Sequence, residues 1–309
     1  MLNSSRRATL RLGCAWTLLA ALGRPAMAAE GGRGVLLLAH GAHAPDSPHG
    51  HAGQGPAHGD GSHNAWNASI EAVARAVDPR LPTEVAFGMA DPQTIGAAVQ
   101  RLEARGVRDI AVVPLFVSSH SPIIGNSRYI LRLQPTMART TRLRHLDQVT
   151  SAARLRFAGA LDAHPLVSEI LLERARALAA RPGQATVVLI AHGPNDEEEN
   201  RLWLRDMETH ARFLRERGGF RQVKVLTHRN DAPATVKAEA RAAFRREVGD
   251  AARQGEVVVV PLLLSAGGVE AEVEGDLRGL AYRFAPPLMP HPNIARWVEA
   301  QANELLAQR

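Results

Sequence analysis

The sequence has a single cysteine in 309 residues, and that cysteine lies close to the amino terminus. Cys14 falls inside a segment that has the features of a removable export signal, described next. We therefore expect the mature chain to have no disulfide and no thiolate metal ligand, although it would enter an oxidising compartment.

The sequence also has no apolar run long enough to span a bilayer, since its longest candidate extends only from Leu12 to Leu22. Arg6-Arg7 precede this run and Ala26-Met27-Ala28 follow it, which is the pattern of a secretory signal with a small-residue cleavage site. We predict a signal peptide over residues 1–28 and a periplasmic protein without stable membrane insertion after cleavage. Residues 5–10 further resemble a twin-arginine export signal.

Strong net charge is lacking once this signal is set aside. The formal charge of +6 includes four arginines from residues 1–28 and no acid from them, so the remainder carries +2. Nucleic-acid binding driven by bulk charge is poorly supported by that balance, and no nucleic-acid partner is expected. The remaining residues are enough for two domains of ordinary size.

A duplication is the most informative feature that is present. An apolar strand runs directly into His-Gly twice, over residues 35–41 and again over residues 187–193. Each copy continues with a tryptophan-bearing helical segment and, later, with a strand containing Val-Pro-Leu, over residues 110–118 and 257–265. The same order and chemistry in both halves predict a duplicated fold.

The continuous apolar strands predict an α/β fold. Strands of this kind are typical of parallel sheets that are covered on both faces, and helical crossovers must connect them. Segments with helical spacing of apolar residues supply those crossovers at residues 65–77, 93–104, 201–217 and 235–253. We predict a first domain over residues 29–145, a mainly helical connector over 146–183 and a second domain over 184–309.

A low-complexity segment rich in Gly, Pro and His interrupts the first half and has no counterpart in the second. Glycine and proline make helix and strand implausible there, so residues 43–63 are predicted to be an inserted loop. Histidine-rich tracts are typical of metal binding, and the five imidazoles of this loop are candidate metal ligands. They are His43, His49, His51, His58 and His63.

Histidines also stand where an α/β sheet binds its ligands. Ligand sites of open parallel sheets lie beyond the carboxyl ends of the strands, and His40 and His192 hold that position. His120 follows the third strand of the first half and is expected to reach the same crevice as His40. Two neutral imidazoles there could bind a divalent metal or move protons near neutral pH.

Together, the paired strand-His-Gly motif, the duplication and the segment Val-Pro-Leu-Phe-Val-Ser-Ser-His resemble the class II chelatases. The resemblance covers nearly all of the mature chain. It implies two tandem chelatase-like, flavodoxin-like units with helices on both faces of each sheet. It also implies insertion of cobalt, nickel or iron into sirohydrochlorin or a related tetrapyrrole, with the metal as substrate and no organic cofactor. In that family two histidines bind the metal and help to remove pyrrole protons, which implies these roles for His40 and His120.

The chain departs from the family pattern at the second histidine. The family commonly places it two residues further on, where Pro122 stands here, while His120 occupies the glycine position. The second half has Val269 at the corresponding place, so His192 lacks its partner. We infer that the first half is the working copy.

A glutamate that is frequent near the end of the family's second strand is also missing. Gly88 and Arg229 stand near that place, and Asp91 or Glu84 would have to supply any acid in the first half.

Basic and hydroxyl residues around His120 suit a polycarboxylate ring. Guanidinium groups orient carboxylates through paired hydrogen bonds, and Arg128 is the arginine nearest His120. Arg128, Ser118 and Ser119 are therefore the predicted substrate-binding residues. Further arginines follow that are equally compatible with a solvated basic surface: Arg132, Arg139, Arg142 and Arg144.

Two further functions remain open on the sequence. A periplasmic metal-binding or delivery protein would keep the metal site and use the histidine loop, which fits the missing second-half histidine and the export signal. A tetrapyrrole carrier without catalysis would need the cleft and arginines but not the histidines. The sequence selects neither the metal nor an oligomeric state.

Overall fold

The computed structural model describes residues 32–41 and 60–308, with side chains omitted at 60–64 and 268. The first half contains β1 (Arg33–Ala39), α1 (Asp60–Val77), β2 (Thr83–Phe87), α2 (Pro92–Ala104), β3 (Asp109–Leu115), α3 (Pro122–Ile130), β4 (Arg154–Phe157) and α4 (Pro165–Leu178). The second half contains β5 (Thr186–Ala191), α5 (Glu197–Gly218), β6 (Gln222–Thr227), α6 (Ala234–Gln254), β7 (Val257–Leu262), α7 (Gly268–Asp276), β8 (Arg283–Phe284) and α8 (Pro292–Ala307).

Each half forms one four-stranded parallel sheet, with orders β2-β1-β3-β4 and β6-β5-β7-β8. The central strands β1, β3, β5 and β7 are buried along almost their whole length, as their unbroken apolar sequences require. The predicted class, two tandem α/β units with helix-covered parallel sheets, is confirmed. In these sheets the order in which strands are added reverses between β1 and β3, and again between β5 and β7. Open α/β sheets generally bind their ligands beyond the strand ends at such a point.

The two halves share one hydrophobic core. It joins Leu37 and Val113 of the first sheet to Leu189 and Val260 of the second, and it includes Trp297 of α8. Separate clusters cover the outer face of each sheet. Helices α4 and α8 are exchanged in this arrangement: α4 follows the first sheet but packs against β7, and α8 follows the second sheet but packs against β1, β3 and β4.

Residues 146–183 contribute a strand as well as a helix. β4 pairs with β3 over residues 154–157, and Arg156 forms an ion pair of 2.8 Å with Asp109 of β3. This strand is not apparent from the sequence because its four residues alternate arginine with apolar side chains and lack an apolar run. The segment therefore completes the first sheet before α4 begins.

Helix α1 begins at Asp60, so the last four residues of the predicted loop 43–63 are helical instead. The prediction was wrong there because the first turn of a helix needs no apolar residue, and apolar spacing starts only at Ala65. Among the described residues, no helix has the length and apolar composition needed to cross a membrane.

Candidate active site

The two His-Gly turns have the same geometry at the ends of β1 and β5. His40 Nδ1 lies 2.7 Å from the carbonyl oxygen of Gly41, and His192 Nδ1 lies 2.7 Å from that of Gly193. Because a carbonyl can only accept, Nδ1 must carry a proton in both residues. In a neutral imidazole this leaves Nε2 as the basic nitrogen, which is the form that binds a metal or accepts a proton.

The backbone conformation and the close packing of these turns require glycine at both positions. Gly41 and Gly193 adopt left-handed φ angles of +63° and +74°, which side chains rarely adopt. A Cβ atom on Gly41 would lie 2.6 Å from the Phe87 ring, and one on Gly193 would lie 2.6 Å from Cβ of Thr227. The glycine thus lets the turn pass close to the neighbouring strand and directs its carbonyl to the histidine.

Trp66 of α1 stacks on the His40 ring. The two ring centroids are 5.1 Å apart and the planes differ by 13°. Trp66 lies at the edge of the shared core, and its indole also fixes the plane of the His40 ring. Its Nε1 atom is buried and has no hydrogen-bond partner among the described residues.

His120 lies in the loop between β3 and α3, at the same sheet edge as His40, since Ala39 is paired with Leu115 in the sheet register. Ser121 caps α3 through the Ile123 amide, and Pro122 occupies its first turn. Pro122 therefore starts the helix at the position where the resemblance stated above would place a histidine. The His120 side chain is directed towards the second half, where its Nε2 lies 3.4 Å from Oδ2 of Asp206.

Ser118 and Ser119 hold the loop around His120. The Ser118 hydroxyl oxygen accepts from the His120 amide at 3.1 Å. Ser119 donates its hydroxyl to Asp162 at 2.6 Å and accepts from the Ala160 amide at 2.8 Å. Both side chains are engaged in local structure, and their contact with a substrate stays a prediction.

The second-half histidine has a different environment. Nε2 of His192 lies 3.3 Å from Oδ2 of Asp231, in addition to the Nδ1 contact with Gly193. Burial opposes the charged imidazole, but the hydrogen bond and the charge of Asp231 outweigh it and raise the pKa of His192 above its ordinary value. Both ring nitrogens of His192 thus face acceptors, which disfavours metal binding at this position.

Arg128 stands over the ring of Phe157, with its guanidinium carbon 4.8 Å from the ring centroid. The residue is half-buried, its Nε has no hydrogen-bond partner, and no carboxylate pairs with it among the described residues. Arg139, by contrast, contacts Asp196 and Glu198 at the start of α5. Arg128 thus keeps donors that an anionic ligand could use, and its role in substrate binding stays a prediction.

Comparison with known proteins identifies the family of the chain. The family model described as CbiX matches residues 57–178 and, a second time, residues 186–305. The chain belongs to the CbiX chelatase family. No curated protein matches it in sequence.

Solved structures share the fold of this CbiX-family chain. SirB from Bacillus subtilis with Fe³⁺ is 18% identical, with a TM-score of 0.61 over 89% of this chain and 96% of that one. The structure of CbiX, described as the terminal enzyme for siroheme biosynthesis in denitrifying bacteria, is 16% identical, with a TM-score of 0.53 over 90% and 100%. DR2241 from Deinococcus radiodurans, a multi-domain protein with structural similarity to chelatases, is 22% identical with a TM-score of 0.53; the match covers 88% of this chain but only 54% of that one.

The histidine-rich loop of this CbiX-family chain lies mostly outside the described residues. His43, His49, His51 and His58 fall there, and His63 is within α1 but its side chain is not described. Over the described residues, no three His, Cys, Asp or Glu side chains group as a metal site. Metal binding by this loop stays a prediction.

Two contacts of the site histidines are not apparent from the sequence: that of Asp206 with His120 and the stacking of Trp66 on His40. Asp206 and Trp203 are three residues apart on α5, a spacing that places both on one helix face. That spacing alone does not reveal which loop of the other half they meet. The predicted acids Glu84 and Asp91 serve elsewhere: Glu84 pairs with Arg101, and Asp91 caps α2.

Proposed function

We propose that this CbiX-family protein inserts a divalent metal ion into a sirohydrochlorin-type tetrapyrrole, with His40 as a metal ligand. The observation that carries the proposal is the hydrogen bond from His40 Nδ1 to the Gly41 carbonyl. It leaves Nε2 as the basic nitrogen, the atom through which such an imidazole would bind a first-row divalent metal, and the Trp66 stack holds the ring plane.

Metal insertion exchanges two pyrrole N–H protons for one M²⁺ ion, so the site must deliver a partly dehydrated metal and accept two protons. Imidazole suits both tasks because it coordinates cobalt, nickel and iron and titrates near neutral pH. In this proposal His40 presents the metal and His120 is the second metal ligand or proton acceptor. Arg128 holds a ring carboxylate by charge-assisted hydrogen bonds.

The proposed location is the periplasm, on the strength of residues 1–28. An exported chelatase would need its tetrapyrrole in the same compartment. Comparison of the amino terminus and the cell fraction of the native protein with those of an Arg6→Lys, Arg7→Lys variant would test export through the twin-arginine pattern.

The decisive experiment measures metal insertion directly. Metal-free protein is mixed anaerobically with sirohydrochlorin and Co²⁺, Ni²⁺ or Fe²⁺, and the visible absorbance is followed against an enzyme-free control. We expect acceleration that His40→Ala abolishes and that His145→Ala, a change at an exposed histidine 79% accessible to solvent, leaves intact. No acceleration under conditions where metal binds would contradict the proposal.

A periplasmic metal-binding or delivery protein is the second candidate. It is favoured by the paired state of His192, which leaves the second half without an available strand-end imidazole, and by the five histidines of residues 43–63. Under this candidate, Co²⁺ binding survives His40→Ala, and replacement of the five loop histidines by glutamine abolishes most of it.

A further inference from the structure

Helix α5 of the second half holds the His120 segment of the first half at two points. The Trp203 indole donates Nε1–H to the His120 carbonyl oxygen at 2.8 Å. One helical turn later, Oδ2 of Asp206 lies 3.4 Å from Nε2 of the His120 ring. The backbone and the side chain of His120 are thus both contacted by a helix that belongs to the other copy of the duplication.

The carboxylate of Asp206 lowers the stability of the fold in this environment. Its side chain is only 16% exposed, and Oδ2 is buried without a hydrogen bond. Arg205, itself largely exposed, approaches the other carboxylate oxygen no closer than 3.7 Å. Burial, reinforced by the negative charge of Asp162, raises the pKa of Asp206, and the neighbouring His120 opposes that rise. An under-satisfied carboxylate that destabilises its surroundings is more easily explained by a role at the site than by a role in folding.

The ring nitrogens of His120 are in different situations. Nε2 faces the Asp206 carboxylate, whereas no partner is found for Nδ1 among the described residues. An ionised carboxylate accepts hydrogen bonds and cannot donate them, so it stabilises the tautomer with the proton on Nε2. Carboxylates placed behind metal-binding histidines in this way fix the tautomer and the ring orientation, and raise the basicity of the other nitrogen.

We propose that Asp206 is a positioning residue for His120, which keeps the proton on Nε2 and leaves Nδ1 as the nitrogen that meets the metal or a pyrrole proton. The inference deepens the proposed function and rests on it. His40 and His120 then use opposite nitrogens, Nε2 and Nδ1. The second half, which lacks its own histidine pair, is a working part of the first half's site.

The test compares Asp206→Asn with Glu208→Gln as its matched control. Glu208 lies on the same helix, is 43% exposed and pairs with Arg215. We expect Asp206→Asn to lower kcat for metal insertion by roughly 10- to 100-fold, the usual effect of removing such a partner. The KM for sirohydrochlorin should stay within about twofold, since the ring carboxylates are not held by this residue. Asp206→Glu should recover part of the rate.

Stability separates positioning from a structural role. Asp206→Asn removes a buried charge and its repulsion by Asp162, so we expect the midpoint of thermal unfolding to stay the same or to rise while kcat falls. A kcat that falls only together with a lowered unfolding midpoint would overturn the proposal. Glu208→Gln should change neither quantity.

Histidine-ring ¹⁵N NMR of the metal-free protein tests the contact without any reliance on activity. His120 should show a protonated Nε2 and a pyridine-like Nδ1, and Asp206→Asn should shift the population towards the Nδ1–H form. A His120 ring that is protonated on Nδ1 in the native protein, or that is unaffected by Asp206→Asn, would overturn the inference. If the ring signals behave as expected but no metal is inserted, the proposed function fails while the Asp206–His120 contact stands.

Discussion

Acidification should destabilise this protein chiefly through His210, a histidine of α5 that is fully buried between the halves. Its Nε2 lies 2.8 Å from the Asp162 carbonyl oxygen, so Nε2 carries the proton. Its Nδ1 lies 2.7 Å from the Ser168 hydroxyl, which donates to it. The neutral ring is thus satisfied at both nitrogens, and burial lowers the pKa of His210 to about 4.

The size of this loss of stability follows from the difference between the pKa of His210 in the folded chain and in the unfolded chain. An ordinary histidine pKa of about 6.5 means that the unfolded chain takes up a proton over a pH range in which the folded chain does not. Stability is therefore intact above about pH 6.5, declines as the pH falls, and stops declining below about pH 4. At about 1.4 kcal/mol per pH unit, the loss attributable to His210 is about 1.4 kcal/mol at pH 5.5 and about 3 kcal/mol at pH 4.

Urea unfolding at a series of pH values between 7 and 4 measures this loss. His210→Gln keeps a donor for the Asp162 carbonyl, and it should flatten the dependence of the unfolding free energy on pH, whatever its cost at pH 7. His145→Gln, at an exposed histidine, should leave the native dependence unchanged. Equal slopes for the native protein and His210→Gln would refute the reasoning, as would a His210 pKa near 6.5 measured by NMR.

Three further predictions concern the turns and the shared core. Gly41→Ala should destabilise the protein more than Gly106→Ala, because both positions have positive φ but only Gly41 lacks room for a Cβ atom; the excess should be of order 1–3 kcal/mol in urea unfolding. Trp297→Ala should cost about 3–5 kcal/mol of unfolding free energy, since this side chain is 1% exposed within the shared core. Both halves should then unfold at a lower temperature in a single transition, and separate transitions in calorimetry would speak against a common core. Asp231→Asn should remove a stabilisation that is present below about pH 6.5 and is lost as the pH rises through the raised pKa of His192; native and variant unfolding free energies should therefore converge above that pKa.

Much of the fold could be predicted because the four central strands are continuous apolar runs, and both His-Gly turns follow directly from them. Strands β4 and β8 escaped prediction because they are short, with arginine beside phenylalanine or leucine, and pair only at sheet edges. The position of His40 at the ligand edge could be predicted from its strand alone. The contact between His120 and Asp206 could not, because it depends on how the two halves pack, and periodicity within one helix carries no information about that.

The exchange of α4 and α8 has a consequence for how the chain folds as it is made. The first sheet receives part of its inner cover from residues 292–307 and the rest from α1, so the face of β3 that α8 covers stays exposed until residues 292–307 have been made. An amino-terminal half that emerges from the ribosome cannot finish folding by itself, and it presents apolar surface to chaperones for the time needed to make the rest. A chain cleaved between α4 and β5 would yield two pieces that are each incomplete, and only their recombination would restore either sheet's cover.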